Sequence, residues 1–241
     1  MSLTRWTIHR WQLMGLGLLF AATAPAASTN SGWSLHVWRS EDGLPNNNVT
    51  GLAQTPDRYL WVANASRLAR FDGVQFETFS PGVVVANWTQ RIHVLLRSRN
   101  GGLWLATDHG AVAFLKDGQV QLITNDLPEV GVQTLTEDDD RGLWVTYNPG
   151  IICRVKEGKA VNLGAEAGLP PGDVSSLARD NRGRMWFAQS GQGEGQVGLF
   201  RDGRFETLLH FGPAIIRITS ARSGGIWICS GFHLFKYNVG G

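Results

Sequence analysis

Short apolar runs separated by polar turns fill the chain from residue 33 onward, and one of these runs keeps returning. Gly102-Leu103-Trp104-Leu105-Ala106-Thr107 has counterparts in Tyr59-Leu60-Trp61-Val62-Ala63, Gly142-Leu143-Trp144-Val145-Thr146, Arg184-Met185-Trp186-Phe187-Ala188 and Gly225-Ile226-Trp227-Ile228-Cys229. The five tryptophans are about 40 to 43 residues apart, a period typical of solenoids, arrays and propeller blades. Nine residues before each stand Leu52, Leu95, Leu135, Leu177 and Ile218; twelve before stand Val49, Ile92, Val132, Val174 and Ile215. A second apolar run follows each tryptophan and ends on Asp72-Gly73, Asp117-Gly118, Glu157-Gly158, Asp202-Gly203 or, less typically, Asn238-Val239-Gly240. Two-residue turns that match strand twist need φ > 0, so an acid-glycine pair between apolar runs predicts a hairpin. Each unit is predicted to be a small antiparallel meander.

The strand after each turn alternates in polarity, and Trp33-Ser34-Leu35-His36-Val37-Trp38-Arg39 has the same character but precedes the first repeat. The fifth repeat lacks such a strand. Residues 33–39 are therefore expected to complete the last blade, because ring architectures of roughly four to eight four-stranded blades remove open strand edges. The predicted fold class is all-β, a propeller of five four-stranded blades closed by this N-terminal strand. The periodicity equally allows these five units to be the first blades of a longer ring, and an open arc would expose the apolar faces of its end blades.

The N-terminus carries a different signal. Arg5, His9 and Arg10 precede the apolar run Leu13–Ala22, and Ala24-Pro25-Ala26-Ala27 follows it. That order of positive, apolar and small residues reads as a secretory signal peptide over residues 1–27, with a propeller domain over 28–241 and a periplasmic location. The apolar run is shorter than the roughly 20 residues of a membrane span; the alternative is an uncleaved anchor, so membrane association is expected only through that segment or a parent protein. The mature chain of about 215 residues suits one large domain. With 43% hydrophobic residues, 17% charged residues and a formal charge of +2, a filled core is expected and nucleic acid is not a predicted partner. Cys153 and Cys229 fall on different strands of non-neighbouring repeats and read as small buried residues, not as a disulfide.

Ser40-Glu41-Asp42-Gly43-Leu44-Pro45-Asn46-Asn47-Asn48-Val49, the Trp61 run and Leu68-Ala69-Arg70-Phe71-Asp72-Gly73 together resemble the two-component regulator propeller repeat. Gly168-Leu169-Pro170 and Asp126-Leu127-Pro128 repeat the Gly-Leu-Pro element more loosely. The resemblance covers essentially everything from residue 33. It implies a periplasmic sensor region, in a family whose blades usually form two seven-bladed rings followed by a β-sandwich, a membrane span and a histidine kinase or other output domain. The sequence departs from that plan in having five recognisable repeats and none of the later parts, so it reads as the N-terminal part of such a sensor or as a freestanding binding propeller.

In a propeller, the loops leading into the inner strands share a face with the loops between second and third strands. These two sets supply the candidate ligand-binding residues: Asn47, Asn48 and Arg91 in the first, and Asp108, His109, Tyr147 and Asn148 in the second, with Asp173 at the head of the fourth inner strand. Trp88 is a candidate stacking platform or an interblade packing residue. His93, eleven residues before Trp104 where other repeats carry Thr50, Gln133 and Ser175, is a candidate channel residue or a packing histidine. A regular scaffold with irregular polar loops is what a binding face needs. Amides, a guanidinium and aromatic rings suit a polar small molecule or an oligosaccharide such as a glycan fragment; the plainer alternative is that such side chains simply face water.

No H-E-x-x-H, Cys-x-x-Cys or nucleophile elbow occurs, and no cofactor is predicted. Glu137-Asp138-Asp139-Asp140 reads as an acidic turn and not as a metal site, because Ca²⁺ would need six or more oxygens. Catalysis is the rival class. A glycosidase needs two convergent carboxylates, for which only Asp173 and Asp108 are candidates; a propeller lyase is the weaker analogy. A third class, a module that pairs with another propeller or a sensor chain, would follow from an open arc.

Overall fold

The computed structural model describes residues 3–7, 34–64, 67–79, 91–123, 126–190 and 193–238. Blade 1 consists of β2 (Val49–Gln54), β3 (Leu60–Asn64), β4 (Leu68–Phe71) and β5 (Phe76–Phe79). Blade 2 contains β6 (Ile92–Arg97), β7 (Leu103–Thr107), β8 (Val112–Lys116) and β9 (Gln119–Ile123). Blade 3 contains β10 (Val132–Glu137), β11 (Leu143–Tyr147), β12 (Ile151–Lys156) and β13 (Lys159–Asn162). Blade 4 contains β14 (Asp173–Arg179), β15 (Met185–Ser190), β16 (Gly195–Arg201) and β17 (Arg204–Phe211). Blade 5 has β18 (Ile216–Ser220), β19 (Ile226–Ser230) and β20 (His233–Tyr237), with β1 (Leu3–Thr7) on its outer edge. The chain is an all-β propeller fold of five antiparallel sheets, each with four strands.

An N-terminal strand does complete the last blade, but it is not residues 33–39. Leu3 to Thr7 pairs antiparallel with Tyr237 to His233, whereas residues 34–39 form no strand and are exposed. Trp38 is held near blade 1, edge-on to Phe71 at 5.0 Å between ring centroids.

The hairpin prediction holds where both turn residues can take positive φ. Asp117-Gly118, Glu157-Gly158 and Asp202-Gly203 all do, with φ between 50° and 79°. At Asp72-Gly73 only the glycine does; the Asp72 carboxylate instead accepts the N–H groups of Val74 and Gln75 at 2.7 and 2.8 Å. The Gly-Leu-Pro element has its own mechanism. A short 3-10 turn ends on a left-handed glycine, Gly43 or Gly168, and the following Leu44 or Leu169 is buried. The looser copy puts Asp126 in the left-handed region at φ 58°.

The first strands of successive blades run side by side and form the inner wall. The tryptophan face of each blade packs on the next: Trp61 and Ala63 share a cluster with Ile92 and Leu95, and Trp186 and Ala188 with Ile216 and Ile218. Conversely, the leucine column meets the blade before it; a Cβ on Gly51 would stand 3.2 Å from the Leu95 side chain. Among the described residues no comparable packing joins blade 5 back to blade 1. The consequence is visible in that column, where Leu52 is 59% exposed while Leu135 is 4% exposed. The described blades form an open arc. At its other end Cys229 is exposed, unlike the buried Ala63, Ala106, Thr146 and Ala188 of its column, which corrects the expectation that both cysteines are buried; Cys153 is buried, and both are free thiols.

The indole N–H groups are tied down six residues upstream. Trp61 donates to the Thr55 hydroxyl at 3.0 Å, and Trp144 and Trp186 donate to the Asp138 and Asp180 carboxylates at 2.9 Å. Trp104, with Ser98 at that position, donates to Glu137 of the next blade at 2.5 Å. These bonds matter because a buried indole without a partner loses hydration and gains nothing. Interblade packing over the tryptophans differs. Phe200 and Phe205 cover Trp144 with ring centroids 4.9 and 6.5 Å away, but the corresponding positions facing Trp61 are Leu115 and Val120. A groove of about 450 Å³ remains beside Trp61, with Leu115 on its wall.

Candidate functional site

The inner strands of blades 1 to 4 each carry a β-bulge, between Val49 and Gly51, Ile92 and Val94, Val132 and Thr134, and Val174 and Ser176. A bulge leaves one residue unpaired and re-aims its side chain. Those residues are Thr50, His93, Gln133 and Ser175. Thr50 and Ser175 donate their hydroxyls to the carbonyls of Ile92 and Ile216 on the next inner strand, at 2.7 and 2.6 Å. Blade 5 has no bulge, so Ile216 and not Ile215 occupies the buried column, and Ile215 is exposed.

The two candidate loop sets do share one face. The Asp108 N–H donates to the Arg91 carbonyl at 3.2 Å, and the Asn148 N–H to the Gly131 carbonyl at 3.3 Å. The loops after β7 and β11 also lean on the lead-in loop of the next blade. A Cβ on Gly110 would lie 2.1 Å from the Pro128 carbonyl, and one on Gly150 2.2 Å from the Gly172 carbonyl. Asp108 therefore belongs to the junction of blades 2 and 3, and Asn148 meets Asp173 at the junction of blades 3 and 4.

At that second junction a cleft of about 160 Å³ is lined by Gln133, Asn148, Asp173, Ser175, Ser190 and Arg217. Arg217 donates to the Ser175 carbonyl at 2.8 Å and the Ser190 hydroxyl accepts the Ile216 N–H at 3.3 Å, which fixes the wall. The side chains of Gln133, Asn148 and Asp173 are exposed and carry no hydrogen bond to another described residue. The cleft offers two amides, a carboxylate and the remaining donors of a guanidinium, a set able to hold several hydroxyl groups at once.

The other candidates fall elsewhere. Tyr147 is a correction: it ends β11 but is 0% exposed, packed with Val112 and Cys153 in the core between blades 2 and 3, so its ring cannot meet a ligand. Burial pushes its phenol far above the ordinary range, and its hydroxyl finds no partner among the described residues. Asn47 is a turn brace whose Oδ1 accepts the Ser40 N–H and hydroxyl at 2.9 and 3.1 Å. Asn48 is exposed and its N–H donates to Asn46 Oδ1. Arg91 and His93 are exposed, and His109 rests on its neighbour Asp108 at 3.1 Å. Trp88 lies outside the described residues.

The acidic run is neither a bare solvated turn nor an open ligand set. Asp138 accepts the indole of Trp144, the Gly142 N–H and Arg154 Nε at 2.9, 2.7 and 2.7 Å. Burial alone would raise its pKa, but these donors outweigh it and hold the carboxyl below the ordinary range. Glu137 accepts from Ser98, Trp104 and the Arg99 N–H of blade 2. Asp139 pairs with Arg179 of blade 4 and with Arg99 of blade 2, and these guanidiniums lower its pKa. One turn of blade 3 thereby ties together three blades.

Comparison with known proteins fits this architecture. Residues 43–66 and 168–191, in blade 1 and blade 4, match the family model described as Two component regulator propeller. The match covers these two segments, one at each of two blades, and shows that they carry the regulator propeller repeat pattern. No curated protein matches in sequence. Among solved structures, virginiamycin B lyase from Staphylococcus aureus is similar at TM-score 0.67 and 17% identity, covering 81% of this chain and 68% of the lyase. The extracellular domain of BT3049 from B. thetaiotaomicron, assigned to the hybrid two component systems, is similar at TM-score 0.67 and 21% identity, covering 85% of this chain and 30% of that one. The extracellular domain of BT4673 from the same organism gives TM-score 0.63 and 14% identity, covering 80% and 28%. The chain thus spans less than a third of those ectodomains. At such identities the likeness is one of fold, and the fold hosts both sensors and enzymes.

Proposed function

We propose that this chain is the ligand-recognising propeller of a two-component-type sensor, exported to the periplasm by an N-terminal segment, residues 1–27, that is retained, since its residues Leu3–Thr7 form the outer strand of blade 5, and that it binds a polar ligand such as a glycan fragment on its loop face. The observation that carries the reading is the cleft where Gln133, Asn148, Asp173 and Arg217 converge from three blades. Its volume of about 160 Å³ is below the roughly 300 Å³ of a drug-sized pocket. It suits a single sugar ring or chain end, with the rest of an oligosaccharide crossing the exposed Arg91, His93 and His109 beyond. The regulator repeats and the sensor ectodomains of similar fold support the sensory role and the location.

Catalysis has less support. The two acids available on this face sit at separate interblade junctions, Asp108 beside His109 and Asp173 beside Asn148, whereas glycoside hydrolysis needs its carboxylates flanking one bond. The test is a thermal-shift screen of neutral and acidic oligosaccharides against the wild type and Asn148→Ala with Asp173→Ala. A ligand that raises the wild-type transition and leaves the double variant unmoved supports the reading. A screen without a hit, or a hit indifferent to both substitutions, removes it.

A further inference from the structure

The opposite end of the channel holds a second constellation. Where the inner strands of blades 2 to 5 end, a cavity of about 280 Å³ is lined by Arg97, Arg99, Arg179, Thr136, Thr219 and Ser220, and by one carboxylate, Glu137. Three arginines line this space. Glu137 is already occupied by Ser98, Trp104 and the Arg99 backbone, and Asp139 is shared between Arg99 and Arg179. Arg97 has no acidic partner among the described residues, and Arg179 Nε is buried without a hydrogen-bond acceptor. With two carboxylates against three guanidiniums the site keeps one uncompensated positive charge.

We infer that this mouth of the channel binds a small hydroxylated carboxylate, a sugar acid, with Arg97 as its primary anchor. A planar guanidinium meets a carboxylate through two parallel N–H···O bonds. The hydroxyls of Thr136, Thr219 and Ser220, from two further blades, are placed to partner the hydroxyl groups of the same molecule. Leu96, Leu177 and Ala178 complete the wall of this open site. This site is independent of the loop-face cleft, since none of its residues lines both.

The test uses the full chain in low-salt buffer, titrated with galacturonate, galactose and inorganic phosphate while the thermal transition is followed. In the Asn148→Ala with Asp173→Ala background, which disables the loop-face cleft, galacturonate should still raise the transition saturably and galactose should not, with phosphate weaker than the uronate. Arg97→Gln, an exposed position whose change leaves the core intact, should weaken the uronate response about tenfold or more, while Lys159→Gln, an exposed charge on the outer strand β13 that lines neither site, leaves it unchanged. Raising ionic strength to 1 M should weaken it as well. No response to galacturonate, a response to phosphate alone, or a uronate response that survives Arg97→Gln overturns the assignment.

Discussion

Replacing Asp180 by alanine should be the most damaging single change in the inner turns. Its side chain is fully buried and accepts the Trp186 indole at 2.9 Å, Arg184 Nε at 2.7 Å and the N–H groups of Arg182 and Arg184 at 2.9 and 3.0 Å. Alanine leaves a buried indole, two turn amides and a guanidinium that is 23% exposed without their acceptor. Stranding one partner of a buried ion pair costs about 3–5 kcal/mol. Thr55→Ala removes a neutral acceptor from the equivalent tryptophan, so about 1–2 kcal/mol is expected there. Ala221 marks the same position in blade 5, where the lock is naturally absent. Urea unfolding followed by tryptophan fluorescence reads both, through the midpoint at constant m. A cost for Asp180→Ala no greater than for Thr55→Ala would show that the carboxylate does not hold the blade turn.

Other expectations follow from the same geometry. Asp138 and Asp180 have folded-state pKa values below the ordinary carboxylate value; for both, burial opposes the shift and the indole, guanidinium and amide donors outweigh it. A depressed folded pKa means their stabilisation is complete above about pH 4 and is lost as pH falls towards the folded value; acid titration of Asp138→Asn and Asp180→Asn should show a shallower loss than the wild type. Leu95→Ala should cost about 2–5 kcal/mol, whereas Leu52→Ala in the same column should cost less than about 1 kcal/mol because its face is unpartnered; equal costs in denaturant would mean that the arc is closed. Leu115→Phe, which copies the arrangement of Phe200 over Trp144, should fill the groove beside Trp61 and raise stability by about 0.5–2 kcal/mol in the same assay. Deleting residues 1–27 removes β1, so amide exchange along β20 should accelerate while β19 stays protected.

The repeat was legible because its signals are local. The tryptophan strands, acid-glycine turns and apolar columns each follow from strand periodicity and turn chemistry, and they fixed blade number and strand order. The edge strand of blade 5 was not legible: residues 33–39 alternate in polarity and Leu3-Thr4-Arg5-Trp6-Thr7 does not, yet Leu3–Thr7 is the segment that adds to the edge. Leu52 looks like Leu95 in sequence, since exposure depends on whether a neighbour exists. The candidate loops were placed on one face, because face follows from topology, but Tyr147 was misjudged: an aromatic ring at a strand end can turn inward. Gln133 and Ser175 stood in a column already noticed at His93, and what singles them out is a bulge, which leaves no composition signal. Arg217 was missed because the fifth inner strand lacks that bulge and shifts register by one residue.

Hydrogen–deuterium exchange with a bound oligosaccharide tests the sensory reading most directly, since it reports where on the propeller the ligand sits. The loop-face account predicts slowed exchange at residues 131–133, 147–150 and 172–175, with the turns on the opposite face unchanged. Protection confined to those opposite turns, or none at the junction of blades 3 and 4, would contradict it.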